Sequence, residues 1–402
     1  MVIKFPKPGE FILRDDHMAS MRKFLKMHDF DGKTKYFWIS VISLEILLLV
    51  SRITAIFQCL DRPRRVVDLS ATIPITITAL LKAIYLYYDK NRVKYLYNTI
   101  ESEFWDFRIC GPEVQKQAIT RYKYSNRVLW NLLTNGIICY LLLQIFPMTP
   151  MPSESDRMLP KVVWSPVDLN PSPLHEIAFA IILLNGLLTA LSNMIYDYFY
   201  VYCAQHLVVQ LIILQNLLRN ITEDVMVHLS DVEKFNSENF QDTVMNRMKI
   251  CAEQHSKLLK YGENLGRFCS LVLVPQLALT YAGLVVSGFI IATDGSSFYQ
   301  DVIYFSLSLN TLLELSTFAI PSSHMNTQSL LVLDAIYDSK WYLFNSRMKR
   351  ACTFMMMNGQ EGISVKAGGI TKIDNSLLVD MMQKVFSAIT LMTALIDANQ
   401  TN

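Results

Sequence analysis

The sequence predicts an all-α membrane protein with seven transmembrane helices. Its 402 residues are 51% hydrophobic and only 18% charged, and the mean hydropathy is +0.25. Soluble domains carry about 25% charged residues, so this chain is too apolar for that class. Six apolar segments reach the ~20 residues that a helix needs to cross a bilayer, and a seventh, more polar segment lies near the end of the chain.

The spans are separated by connections of different character. Two long, charged connections, 89–126 and 202–267, are compatible with helices, whereas residues 148–174 hold six prolines, which favour an extended loop. The predicted spans, in chain order, are residues 38–57, 69–88, 128–146, 177–201, 268–292, 299–320 and 377–396.

The distribution of Lys and Arg predicts the orientation of the chain. If the amino terminus is cytoplasmic, 27 Lys and Arg residues fall in cytoplasmic segments and 5 fall in the outer connections 58–68 and 148–174. Cytoplasmic loops are enriched in these residues, so we expect a cytoplasmic amino terminus and, after seven crossings, an extracellular carboxyl terminus. A glycan on Asn220, which belongs to a connection predicted to be cytoplasmic, would contradict this orientation.

Charged residues inside the spans are costly and therefore need an explanation. Glu45 and Arg52 are seven residues apart on one face of the first span, and we expect them to form a structural pair, directly or through neighbours. Lys82 and Asp197 are expected near the cytoplasmic ends of their spans, where long side chains can reach the membrane surface. Pro275 is expected to kink the fifth span.

The last span carries polar residues that cannot face lipid without a large cost. They recur with leucines at three- and four-residue intervals, so they share one helix face, which is polar at its inner end and apolar toward its outer end. We expect this face to line a pore that a ring of leucines closes by dewetting, with an acidic residue beyond it that attracts cations. The alternative is that the face packs against a neighbouring helix. The predicted pore residues are Asp380, Lys384, Ser387, Leu391, Leu395 and Asp397.

The outer halves of several spans combine aliphatic, aromatic and hydroxyl side chains. An apolar pocket with a few polar anchors suits a small lipophilic or volatile ligand. Aromatic residues near span ends also serve packing and interfacial roles, so each assignment has this alternative. The predicted ligand-binding residues are Ile73, Ile77, Tyr140, Leu143, Phe146, Phe179, Leu183, Tyr281, Tyr304, Phe305 and Ser308.

The segment that follows the sixth span carries an aromatic block, Tyr337-x-x-x-Trp341-Tyr342. An amphipathic segment, the pair Ala367-Gly368 with a predicted break at Gly368-Gly369, and the last span follow it. This order resembles the carboxyl-terminal signature of insect odorant receptors. The seven-span layout, the cytoplasmic amino terminus, the length and the proline-rich second outer loop agree with that family along the whole chain.

The resemblance implies a subunit of an odorant-gated, non-selective cation channel in the plasma membrane of sensory neurons. Such a subunit assembles as a heterotetramer with the family's shared co-receptor, binds a small volatile odorant and passes cations. The connection 202–267 is shorter than that of the co-receptor, which implies a tuning subunit. Two departures from the family pattern, Gly362 in place of a common proline and the aliphatic ending 389–396, leave the gating side chains open.

The resemblance also implies how the chain is divided. A cytoplasmic amino-terminal segment (1–35) precedes helices 1–6 with the odorant pocket in their outer half (36–320), and a cytoplasmic anchor region (321–365) precedes the pore helix and extracellular tail (366–402). In that family the anchor aromatics join subunits, which implies an interface role for Tyr337, Trp341 and Tyr342; a buried core under the membrane is the alternative.

Several function classes lack support in the sequence. The net charge of +2 gives no basis for binding nucleic acid, and the seven cysteines and the histidines lack metal-ligand or disulfide spacing, so neither a metal nor a cofactor is expected. Catalytic motifs are absent, so we do not expect an enzyme. A G-protein-coupled receptor is disfavoured by the orientation and by the missing D-R-Y and N-P-x-x-Y motifs, and a secondary transporter by the missing internal repeats.

Overall fold

A computed structural model describes residues 35–58, 60, 66, 73–145, 164–167, 169, 171–292 and 298–400. The predicted segment 1–35, apart from Lys35, and most of the proline-rich connection lie outside these residues. The described part is almost entirely helical. Its helices are α1 (Lys35–Gln58), α2 (Ile73–Tyr88), α3 (Lys90–Glu103), α4 (Pro112–Ile145), α5 (Leu174–Arg219), α6 (Asp231–Asn236), α7 (Glu238–Ala292), α8 (Phe298–Asp338), α9 (Ser346–Gly359) and α10 (Asn375–Gln400).

Among the described residues, each predicted span overlaps a helix. Five helices, α1, α5, α7, α8 and α10, are long and apolar enough to cross a membrane, and α2 is an apolar helix of 16 residues. Three of the five run well beyond their predicted spans, since α5 has 46 residues, α7 has 55 and α8 has 41. The helices continue because the adjoining segments bury side chains against one another at one end of the bundle.

Helix α5 forms the core of the bundle. Between Ile195 and Leu218 it is buried on almost every side, against α2, α4, α7 and α8. A helix that is apolar around its whole circumference is stable only when other helices cover it. The remaining long helices are therefore organised around α5.

One end of the bundle, which we call the anchor end, contains the carboxyl end of α5, the amino end of α7, α6, α9 and the short 3-10 helix Trp341–Leu343. Two buried glutamine side chains each form hydrogen bonds with one backbone N–H and one backbone C=O of a neighbouring connection. Gln210 accepts a hydrogen bond from Trp105 N at 2.9 Å and donates one to Trp105 O at 2.7 Å. Gln241 donates to Leu343 O at 2.9 Å and accepts from Asn345 N at 3.0 Å. These bonds satisfy backbone groups that helices would otherwise have paired.

A buried polar network joins α1, α2 and α5. Arg52 donates from Nη1 to Thr76 Oγ1 at 2.7 Å and from Nη2 to Asn185 Oδ1 at 3.4 Å. On the same face of α1, Glu45 accepts a hydrogen bond from Thr189. The two charges predicted to pair are thus both buried and joined to α5 through neighbours, and hydrogen bonding offsets the cost of burying them.

The expectation for Lys82 and Asp197 was wrong. Lys82 is completely buried instead of reaching the membrane surface, and its ammonium lies 2.7 Å from Asp197 Oδ1. A second carboxylate, that of Glu314 on α8, also forms an ion pair with Lys82. The Lys82 ammonium further lies over the rings of Tyr196 and Phe318, at 5.9 and 5.5 Å from their centroids. Partners on α5 and α8 hold the charge in the core, so it does not need water.

Pro275 lies inside α7, and the helix continues on both sides of it. The predicted break at Gly368-Gly369 is a tight hairpin between β1 (Lys366–Ala367) and β2 (Thr371–Lys372). Both glycines have positive φ, +58° and +74°, a conformation that favours glycine. Gly368 N donates to Ser270 O of α7 at 3.1 Å, so the hairpin is fixed to the bundle just before α10 begins.

Candidate ligand and pore sites

A crevice opens between α2, α7 and α8. About 430 Å³ of empty space, part of it open solvent, lies along these walls, but the volume available to water is only about 20 Å³, room for one molecule. Sites that bury a whole small ligand usually have about 300–1,000 Å³, so side chains must move before an odorant fits. The lining residues are Pro74, Ile75, Thr78, Leu279, Thr280, Gly283, Ser287, Leu307, Thr311 and Glu314.

Three hydroxyl groups that line this crevice lie within hydrogen-bond distance of helix carbonyls, to which they can donate their protons. Thr78 donates to Ile75 O at 2.9 Å, Thr311 to Leu307 O at 2.8 Å, and Ser287 to Gly283 O at 2.7 Å. Their oxygen lone pairs are what remains to face a ligand. The crevice is therefore an apolar slot whose polar groups act mainly as hydrogen-bond acceptors.

Glu314 connects the crevice to the buried ion cluster. Its Oε1 atom accepts hydrogen bonds from Lys82 Nζ and from Gln276 Nε2, the latter at 3.3 Å, while the side chain keeps 12% of its surface exposed. The Gln276 amide oxygen is buried without a hydrogen-bond partner among the described residues. With Asp197 the cluster contains two carboxylates and one ammonium.

None of the residues predicted to bind a ligand is among the described residues that line this crevice. Ser308 is linked to it, because its hydroxyl lies 2.6 Å from that of Ser287. Tyr304 is buried, whereas Tyr281 is partly exposed and Phe305 is 65% exposed. Four others are partly buried: Ile73, Ile77, Phe179 and Leu183. The side chains of Tyr140 and Leu143, and all of Phe146, lie outside the described residues.

Helix α10 touches the rest of the chain through one narrow face. Met381 and Val385 of this face pack with Leu284 and Val285 of α7 and Leu315 of α8. The rest of the helix is largely uncovered within the chain. The exposed residues include five of the six predicted pore residues: Asp380, Lys384, Ser387, Leu391 and Leu395. The sixth, Asp397, lies in the helix, but its side chain is outside the described residues.

The start of α10 is fixed by Asp374. Its Oδ1 accepts hydrogen bonds from the backbone N of Ser376 at 3.1 Å and of Leu377 at 3.2 Å, as an N-cap residue does. A bond from the Ser376 hydroxyl, with these backbone bonds, holds the pKa of Asp374 below its usual range. The hairpin and this cap together set the position at which the helix leaves the bundle.

The predicted anchor aromatics lie on the surface of the anchor end. Tyr337 is 68% exposed at the end of α8, and Trp341 and Tyr342 are also exposed. The rings of Tyr337 and Trp341 are 6.3 Å apart, and Lys349 Nζ of α9 lies 5.7 Å from the centre of the Trp341 ring. These three side chains therefore do not form a core beneath the bundle, which was the alternative from sequence.

The sequence profile described as 7tm Odorant receptor matches residues 64–386, which is most of the chain. The chain belongs to the odorant receptor family. Odorant receptor 22c of Drosophila melanogaster is 19% identical to it over 319 residues, which cover 77% of each chain. Members of this family are receptors and not enzymes.

The fold also matches solved receptor structures. The structure of the olfactory receptor OR5 from Machilis hrabei in complex with eugenol superposes with a TM-score of 0.79 and 13% identity, covering 95% of this receptor and 100% of the other chain. A second structure of OR5 from Machilis hrabei gives a TM-score of 0.74 and 13% identity, covering 94% of this receptor and 99% of the other chain. The helices of this odorant receptor thus have the family's arrangement, that of a multi-pass membrane protein.

Sequence reasoning missed two residues of the candidate site. Glu314 lies inside the predicted sixth span, and the rule that singled out Lys82 and Asp197 applies equally to it. Gln276 is a polar residue of the fifth span that suits an interhelical hydrogen bond, and it does bond Glu314 on the neighbouring helix, but it was not assigned to a ligand site. Within the part of the chain that the structure describes, no group of three or more His, Cys, Asp or Glu side chains is placed to hold a metal ion.

Proposed function

We propose that this receptor is a tuning subunit of an odorant-gated, non-selective cation channel. The observation that carries the proposal is the exposure of α10, a membrane-length helix that keeps Asp380 and Lys384 uncovered within its own chain. Charged side chains are costly against lipid, so this face needs water or another subunit. A central pore shared by several subunits supplies both.

In this proposal the carboxyl-terminal half of α10 contains the gate. Leu391 is 62% exposed and Leu395 is exposed on the same stripe, so leucines from several subunits can form an apolar ring. Such a ring closes a pore by excluding water. Asp380 and Lys384 then lie at the cytoplasmic entrance, and Asp397 lies beyond the ring, where it attracts cations.

The anchor end is the proposed cytoplasmic side and the proposed meeting point of subunits. The excess of Lys and Arg in its connections supports this orientation. Exposed aromatic residues such as Tyr337, Trp341 and Tyr342 are typical of the centre of protein interfaces. The proposed assembly is a heterotetramer with the odorant co-receptor in the plasma membrane of a sensory neuron dendrite.

The proposed ligand is a small volatile molecule that enters the crevice between α2, α7 and α8 and also contacts the predicted pocket residues. It opens the channel if it binds the open state more tightly than the closed state. In the structure the crevice has room for about one water molecule, so its walls must move apart to admit such a ligand.

The direct test is to express this chain with and without the co-receptor and to record currents evoked by volatile alcohols, amines, esters and aromatics. We expect currents only when both subunits are present, and we expect them to persist in excised patches without nucleotide. A requirement for nucleotide would favour G-protein signalling. Currents that never depend on an odorant would refute the proposed function.

A further inference from the structure

The ion cluster next to the crevice contains two carboxyl groups and one ammonium group. Lys82 forms ion pairs with both Asp197 and Glu314, so one ammonium faces two carboxylates in a buried environment. Such an imbalance favours the arrival of a further positive charge, because charges interact strongly away from water. Of the two carboxylates, Glu314 is the one that lines the crevice.

The polar atoms near Glu314 are suited to accept hydrogen bonds. Its Oε2 atom takes part in neither of the bonds from Lys82 and Gln276, both of which go to Oε1. The Gln276 amide oxygen is buried, and no described residue donates to it. Gln276 also lies on the same face of α7 as the lining residues Thr280 and Gly283, because Thr280 follows it by four residues and Gly283 follows Thr280 by three. An unpaired buried acceptor is costly, so a donor that reaches it gains the corresponding free energy.

The dimensions of the crevice indicate the shape of such a donor. The volume available to water in the crevice is about 20 Å³, the size of one water molecule, which is also about the size of an ammonium group. The lining also includes apolar residues, among them Ile75, Leu279 and Leu307, which can cover a hydrocarbon chain. A polar head followed by an apolar tail therefore matches the crevice, provided that these side chains move apart for the tail.

We propose that this crevice selects small protonated amines, with the ammonium group donating hydrogen bonds to Glu314 and to the Gln276 amide oxygen. The inference rests on the proposed odorant-gated function and adds the chemical class of the ligand. The hydroxyl oxygens of Thr78, Ser287 and Thr311 complete an acceptor-rich site. An alcohol of the same chain length can donate only one hydrogen bond and carries no charge, so it binds more weakly.

The experiment uses the full chain with its co-receptor and three probes of equal chain length: hexylamine, hexanol and hexane. We expect the half-effective concentration of hexylamine to be lower than that of hexanol by about tenfold or more, as for a hydrogen bond to a charged group. Glu314→Gln should raise the value for hexylamine by about tenfold or more and shift that for hexanol much less, because a neutral alcohol has no charge to pair with the carboxylate. Glu314→Asp, which keeps the charge, should retain the preference for the amine.

Glu314→Gln is a suitable variant because it leaves Lys82 and Asp197 as a balanced ion pair, so the fold has no new unpaired charge. Asp338→Asn is the matched control, since it also removes one carboxylate of α8 but lies at the anchor end, where Asp338 is exposed. Binding is measured separately, as the increase in thermal midpoint of the purified chain on adding hexylamine. This readout does not depend on channel opening.

The outcomes separate the two proposals. If wild-type channels respond to other volatiles but hexylamine is no more potent than hexanol, or if Glu314→Gln shifts both probes equally, the amine site is refuted and the channel function stands. If no volatile evokes current while hexylamine still stabilises wild type and not Glu314→Gln, the channel function fails and the site stands. Absence of both effects refutes the amine site as well.

Discussion

Replacing Lys82 by Met should strongly destabilise the receptor. The substitution keeps a long apolar stem but removes the ammonium that forms ion pairs with Asp197 and Glu314. At 2.7 Å, and with an effective dielectric constant of about 20, one such ion pair has a gross attraction of about 6 kcal/mol. Desolvation offsets much of this, and the measured cost of breaking a buried ion pair is about 3–5 kcal/mol. We expect a loss in that range.

The measurement is the thermal unfolding midpoint of the detergent-purified receptor, followed by intrinsic fluorescence, together with the amount that reaches the cell surface. Lys82→Met should lower both. Lys340→Met, which removes an exposed lysine at the anchor end, is the control and should change neither.

A triple variant separates the effect of charge from that of packing. Lys82→Met combined with Asp197→Asn and Glu314→Gln leaves the cluster without formal charge. Since neutral replacements of buried ion pairs are often tolerated, this variant should recover most of the lost stability. A Lys82→Met receptor with the midpoint of wild type, or a triple variant less stable than Lys82→Met, would show that charge pairing does not stabilise the cluster.

Three further predictions concern local structure, and each is measured as the thermal midpoint of the purified receptor. Asp374→Ala should cost about 1 kcal/mol, the usual value of a helix cap. Hydrogen bonds lower the pKa of Asp374 in the folded state. The stabilisation from the cap is therefore complete above about pH 4, the pKa of an unfolded aspartate, and is lost as the pH falls through the lower folded pKa. A midpoint difference between wild type and Asp374→Ala that stays constant with pH would contradict this. Gly262→Ala should cost about 1–3 kcal/mol, because a Cβ there would overlap the buried side chain of Ile363. Gly283→Ala is the control: its Cβ meets no atom within 4 Å, so this variant should be neutral or slightly stabilising. Gln241→Leu should cost about 1–3 kcal/mol by leaving buried backbone groups unpaired, and an unchanged midpoint would remove Gln241 from the anchor's structural bonds.

Local patterns in the sequence were sufficient to predict the helices and their apolar centres. They did not predict the ends of α5 and α7, because hydropathy measures only the stretch suited to lipid. Beyond that stretch both helices continue as amphipathic or fully buried segments at the anchor end. The hairpin at Gly368-Gly369 was predicted only as a break, since two-residue strands have no detectable periodicity.

The ion cluster shows why the interior of the site was predicted less well. Lys82 and Glu314 are 232 residues apart, and nothing near either residue identifies its partner. Surface placement for Lys82 was a reasonable expectation for a lone charge in a span, but the packing of α2, α5 and α8 decides otherwise. The polar stripe of α10, in contrast, depends only on the spacing of residues along one helix. Its exposure in the structure could therefore be predicted from the sequence.

The burial of native thiols in the described part of the chain allows an introduced cysteine in α10 to be labelled selectively. Five cysteines in the described part of the chain are free and buried. Burial raises the pKa of the Cys110 thiol to about 12 and that of Cys352 to about 11, so both are neutral and unreactive at physiological pH. A cysteine introduced at an exposed position should therefore react in preference to these.

The proposal that α10 lines the ion pathway is tested most directly by the thiol accessibility of two cysteine variants. Leu391→Cys changes an exposed residue of the proposed pore stripe, and Val385→Cys changes a buried residue that packs against α7 and α8. Each is expressed with the co-receptor, and a charged thiol reagent is applied while odorant-evoked current is recorded, with wild type as the control. We predict that the reagent blocks current through Leu391→Cys and leaves Val385→Cys and wild type unchanged. Block of Val385→Cys alone, or no effect on Leu391→Cys after labelling is confirmed, would contradict a pore lined by α10.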